Sequence, residues 1–79
     1  MDNSESVVTL DTCGLVCPIP ILRTKRELAR MSAGERLLVK STDTDSVGDF
    51  YAFAAAKGHC IVKHETKANV FLFLIEKGA

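Results

Sequence analysis

A cysteine stands directly before a proline in Cys17-Pro18-Ile19-Pro20, between a short β-type run, Val7-Val8-Thr9-Leu10, and an amphipathic helical pattern starting near Ile21. Those residue types in that order point to nucleophilic sulfur chemistry. The residue before a proline is pushed out of the α region toward extended geometry, which suits an N-cap. Proline at the first helical position loses nothing, because its N–H would find no partner there. Cys17 is therefore expected to cap a helix whose free N–H groups and positive dipole end face the sulfur. That setting favours thiolate over thiol and lowers the pKa. Pro18 and Pro20 remove two donors, leaving those of Ile19, Ile21 and Leu22 to face it.

Other reactive groups lie nearby in the chain. Cys13 falls four residues upstream of Cys17 in the turn Asp11-Thr12-Cys13-Gly14. It is either a secondary thiol, able to close an internal disulfide with Cys17, or incidental. Asp11 is expected to brace this turn by accepting from the backbone near Cys13 and Gly14, with Gly14 supplying a positive φ. Cys60 reads as core packing, and His59 as a helix-end or surface histidine. Neither a C-x-x-C pair nor a helical histidine spacing is present, so no metal site is expected. Arg23, Arg26 and Arg30, with Lys25, form a local basic strip that is either a solvated outer helix face or a docking surface for an acidic partner or RNA phosphates.

The elements that must position these groups follow from pattern. Seventy-nine residues make one small domain, with the first six a polar tail and residues 7–79 the folded unit. No deep cavity is expected at that size. Ten basic and ten acidic residues cancel, so no global field advertises nucleic acid. Three cysteines do not read as a secreted disulfide framework, and no leader or membrane-spanning run is seen. A reducing cytoplasm is the expected setting.

Strand one is read over Val7–Asp11 and helix one from Pro18 to Met31. That helix's apolar arc holds Ile21, Leu22, Leu28, Ala29 and Met31, with Thr24 and Lys25 inside it. A second strand lies in Glu35–Thr42. Ser46-Val47-Gly48-Asp49 has capping-box spacing before helix two, read over Val47–Lys57 with Val47, Phe50, Phe53 and Ala54 buried and Gly58 as its stop. Strands three and four are read over His59–Glu65 and Val70–Glu76, joined by a turn at Thr66–Asn69. The order βαβαββ predicts an α+β two-layer sandwich, a four-stranded mixed sheet with two helices on one face. Strand four is apolar without alternation, so one parity, Val70, Leu72 and Leu74 or Phe71, Phe73 and Ile75, is expected either to form a partner or weak homodimer surface or to be shielded by neighbouring long side chains.

Asp11-x-x-Gly14-x-x-Cys17-Pro18-x-Pro20, followed by Ile21-Leu22-Arg23 and Lys25, resembles the signature of the TusA/SirA family of small sulfur carriers. The similarity continues through Met31-x-x-Gly34-Glu35, Asp43, Ser46, Asp49, Phe53 and Gly58-His59. The resemblance implies the same βαβαββ sandwich and a carrier cysteine, here Cys17, that takes persulfide sulfur from a donor protein and passes it to an acceptor protein. Asp11, Gly14, Pro18 and Pro20 would support the cysteine loop and helix start. A cysteine desulfurase or rhodanese-like protein would be the donor, with transfer-RNA thiolation, sulfur oxidation or molybdenum-cofactor synthesis downstream. The chain departs from the family pattern at Asp43-Thr44, where Asp-Pro is common, at Gly48, where a basic residue is common, and at Tyr51, where proline is common. Those departures bear on the pathway and not on sulfur carriage.

Such a relay is thiolate attack on the outer sulfur of a persulfide, the same substitution as thiol–disulfide exchange, and it requires no cofactor. The alternative reading is a thiol-redox or regulatory module using Cys13 and Cys17. Nucleic-acid binding rests on fold analogy alone.

Overall fold

The computed structural model describes residues 7–78. The expected N-terminal tail, residues 1–6, lies outside the described residues. The elements are β1 (Val7–Thr12), α1 (Ile19–Ala29), β2 (Arg36–Ser41), α2 (Ser46–Lys57), β3 (Cys60–Lys67) and β4 (Val70–Glu76).

The four strands form one mixed sheet in the order β1-β2-β4-β3, with β1 parallel to β2 and β4 antiparallel to both β2 and β3. From β1 to β2, and again from β2 to β3, the chain crosses between parallel strands in the same direction along the sheet. Right-handed crossovers moving one way deposit their helices on one face. The core follows from that placement: Ile21 and Leu28 of α1 and Phe50 of α2 join Met31, Leu37, Val39, Phe73 and Ile75 in one buried cluster. Phe50 stacks on Phe73 with ring centroids 4.6 Å apart, fastening α2 to the central antiparallel strand.

Strand register resolves the unbroken apolar run of β4. Val39 pairs with Phe73 and Leu37 with Ile75, and all four are fully buried, so the parity of Phe71, Phe73 and Ile75 faces the helices. Val70, Leu72 and Leu74 take the outer face and are each half-buried. Lys40 is registered beside Leu72 from one side, and Glu65 and Lys63 lie opposite Leu72 and Leu74 from the other. These longer side chains flank the stripe on both sides. Cys60 corrects an expectation, for it is exposed. Its register partner is Glu76 of the outer face, while its neighbour Ile61 pairs with the buried Ile75.

Several boundaries also differ from pattern. Helix α1 starts at Ile19 and ends at Ala29, and its buried stripe is Pro20, Ile21, Thr24 and Leu28. Leu22 is half exposed and Ala29 exposed, contrary to the wheel. Thr24 occupies the core because its hydroxyl donates to the Pro20 carbonyl at 2.8 Å, satisfying the polar atom within its own helix. The β3–β4 hairpin turns through Ala68 and Asn69 at φ 49° and 68°, the left-handed pair that a two-residue loop between twisted strands requires.

Candidate functional site

The parallel strands β1 and β2 end side by side, and each feeds a loop that leads into a helix. The first loop runs through Cys13 to Pro18, the second through Thr42 to Asp45. Polar residues fill the core beneath them. Thr12 is fully buried and donates its hydroxyl to the Lys40 carbonyl at 2.6 Å. Ser41 is fully buried and accepts the Asp43 N–H at 3.2 Å. Ser46 is buried and donates to Asp43 Oδ2 at 2.9 Å. Each would cost stability if left without a partner there.

The second loop then holds the first. Thr42 Oγ1 accepts the Gly14 N–H at 2.8 Å, and Asp43 Oδ2 accepts the Cys17 N–H at 2.7 Å. Gly14 stands at φ 84°, the left-handed turn conformation that glycine adopts without strain. Asp11 Oδ1 accepts the Cys13 N–H at 2.9 Å, bracing the same turn. The Cys17–Pro18 peptide is cis, and Cys17 is exposed with a free thiol. Apolar side chains stand uncovered in the adjoining chain: Val16 is 66 % exposed, Ile19 38 % and Leu22 50 %.

The electrostatics correct the expected helix capping. The N-cap of α1 is Pro18, which leaves Cys17 one residue outside the helix. Of the three donors expected to face the sulfur, the Ile19 N–H goes to the Val16 carbonyl and that of Leu22 to the Pro18 carbonyl. Cys17 Sγ instead donates to Asp49 Oδ2 at 3.2 Å. That hydrogen bond, with desolvation and the charges of Asp49, Asp43 and Asp45, pushes the Cys17 thiol above its ordinary pKa. Cys13 is raised as well, chiefly by its hydrogen bond with Asp11. Asp43 is held below the usual carboxylate range, first by the Ser46 hydroxyl.

The spacing Ser46-x-x-Asp49 makes no capping box. Asp45 is the N-cap of α2 without a side-chain bond, Ser46 turns to Asp43, and Asp49 turns to Cys17. The roles of Thr42, Asp43 and Asp49 in holding the cysteine loop were missed from sequence. Their signal was present for Asp43, Ser46 and Asp49, which fall on the family pattern.

The basic residues divide. Arg23, Arg26 and Arg30 are exposed and line a shallow depression with Leu10 and Glu27. Lys25 points elsewhere, with Nζ 5.6 Å from the Phe53 ring centroid in the groove between α1 and α2. Pro20 is fully buried, and Pro18 is exposed. His59 Nδ1 accepts the Gly78 N–H at 3.0 Å, tying the end of the chain to the end of α2. Among the described residues, no group of three or more His, Cys, Asp or Glu is placed to hold a metal ion.

Residues 8–77 match the family model described as sulfurtransferase TusA. A sulfur carrier protein TusA of Allochromatium vinosum is 47 % identical over 68 residues, covering 86 % of this chain and 90 % of the relative. A Neisseria meningitidis serogroup A protein is 43 % identical over 74 residues, covering 94 % of this chain and 96 % of its own. Among solved structures, a SirA-like protein from Desulfitobacterium hafniense superposes with a TM-score of 0.81 at 29 % identity, over 94 % of this chain and all of that one.

Proposed function

We propose that this chain, which belongs to the TusA sulfurtransferase family, relays persulfide sulfur on Cys17 from a donor protein to an acceptor protein. The observation that carries the reading is the placement of Cys17: a free, exposed thiol on a loop held from beneath by Thr42 and Asp43. The exposed Val16, Ile19 and Leu22 suit contact with a partner's loop more than enclosure of a small substrate.

Transfer is a displacement at sulfur. Once deprotonated, Cys17 Sγ attacks the outer sulfur of the donor's persulfide, the donor's S–S bond breaks, and the leaving thiolate takes the proton that Cys17 gave up. The reverse displacement delivers the sulfur to the acceptor. A cysteine desulfurase or rhodanese-like donor fits this chemistry, and so does a downstream use in transfer-RNA thiolation or sulfur oxidation. A cytoplasmic setting suits three free cysteines. No helix among the described residues is long and apolar enough to cross a membrane. Arg23, Arg26 and Arg30 supply a cationic strip for an acidic partner surface.

Intact mass after incubation with a cysteine desulfurase and cysteine tests the reading. Gain of one sulfur atom by the wild type and none by Cys17→Ser supports it. Loss of two hydrogens that requires both Cys13 and Cys17 favours a redox role instead. Self-association through the outward Val70, Leu72 and Leu74 is a further component. Sedimentation would show a concentration-dependent dimer that Leu72→Lys abolishes, and a monomer throughout removes it.

A further inference from the structure

We propose that Asp49 is a gate on Cys17: by accepting the thiol hydrogen bond it keeps the sulfur of the free carrier protonated and fixed in direction, so that transfer starts only when a partner displaces or neutralises that carboxylate. The inference rests on the carrier reading of Cys17 and adds how its reactivity is controlled.

Geometry is the first support. Asp49 lies in the first turn of α2, and its Oδ2 reaches Cys17 Sγ across the gap between two loops at 3.2 Å. Asp43 grips the Cys17 N–H from the same side, so the cysteine backbone cannot swing away while the thiol is bound. The surroundings are the second. The charged groups that act on Cys17 are Asp49, Asp43 and Asp45, all carboxylates. Lys25 and Lys57 line the same groove as Asp49, with Lys25 Nζ over the Phe53 ring, but neither forms an ion pair with Asp49 among the described residues, and the three arginines gather around Leu10 and Glu27. Asp11 and Lys40 act at Cys13.

Exposure is the third. Cys17 is open to solvent, so burial cannot shield it from oxidants and stray electrophiles. Protonation can, because the thiolate is the reactive form. A partner presenting a cation to Asp49 would free the sulfur where the donor's persulfide is at hand. The proton then leaves Cys17 as its electron pair forms the new S–S bond, and the donor's departing thiolate takes up a proton.

Iodoacetamide alkylation of Cys17 against pH, in a Cys13→Ser, Cys60→Ser background, tests the gate with no sulfur donor present. Asp49→Asn should alkylate several-fold faster than its parent at neutral pH, with the midpoint moved down, while Asp45→Asn moves it less. An unchanged profile in Asp49→Asn, or an equal effect from Asp45→Asn, overturns the gate. Should Asp49→Asn fail to fold, the parent chain decides: its Cys17 midpoint must fall on unfolding in urea, and one that stays or rises overturns the proposal. A chain that alkylates as expected yet takes no sulfur from a desulfurase defeats the carrier reading alone.

Discussion

Cys17 Sγ lies 3.2 Å from Asp49 Oδ2, though the two residues are 32 positions apart in the chain. This contact joins the loop after β1 to the first turn of α2 and is the largest cause raising the Cys17 thiol's pKa. It also sets a pH dependence. The fold raises the Cys17 pKa, so the native state favours the protonated thiol. The stability this contributes is complete below the unfolded thiol's pKa and is lost as pH rises through the folded value. Urea midpoints should therefore fall more steeply toward alkaline pH in the wild type than in Cys17→Ala.

Asp43 and Asp11 give the opposite dependence. Both carboxyls are held below the usual 3.8, Asp43 first by Ser46 and Asp11 first by the Cys13 N–H. Their contribution is present above the unfolded carboxylate pKa and is lost as pH falls through the folded values. Asp43→Asn should lower the melting temperature at neutral pH and flatten its decline in acid. An equally steep decline would remove Asp43 from this role.

Phe50 is the side chain on which the two layers depend. It is fully buried and stacked on Phe73. Phe50→Ala should cost about 3–5 kcal/mol, much of the stability of a domain this small. Urea denaturation would show a midpoint near zero denaturant, or no cooperative transition.

The arginine strip predicts a change in docking without a change in fold. Arg26 is exposed, so Arg26→Glu should shift stability by no more than about 0.5 kcal/mol. Sulfur uptake from a donor should slow several-fold, and the slowing should fade as salt rises. Unchanged uptake at low salt disposes of the strip as a docking surface.

How much was legible in the sequence depended on range. Element order and the βαβαββ sandwich follow from local pattern, since proline geometry and periodicity act within a few residues. The core parity of β4 was open, because Val70 to Ile75 is apolar on both faces and only pairing with Leu37 and Val39 decides it. Cys17 as the helix cap was the wrong local inference. It assumed the helix would begin at Pro18, whereas the Val16 carbonyl captures the Ile19 N–H and delays the first turn. The carboxylate that accepts the thiol hydrogen bond arrives from α2, and no spacing rule relates it to Cys17. Ser46-x-x-Asp49 pointed to a cap, but Ser46 bonds the Asp43 carboxylate three residues upstream and Asp49 accepts from a thiol 32 positions away.

The claim that Cys17 carries sulfur is tested most directly by intact-mass measurement of the wild type, Cys17→Ser and Cys13→Ser/Cys60→Ser chains after exposure to a persulfide-bearing donor. The account predicts one added sulfur, removable by a reducing thiol, on the wild type and on the double variant, and none on Cys17→Ser. Sulfur retained by Cys17→Ser, or absent from the double variant, would contradict it.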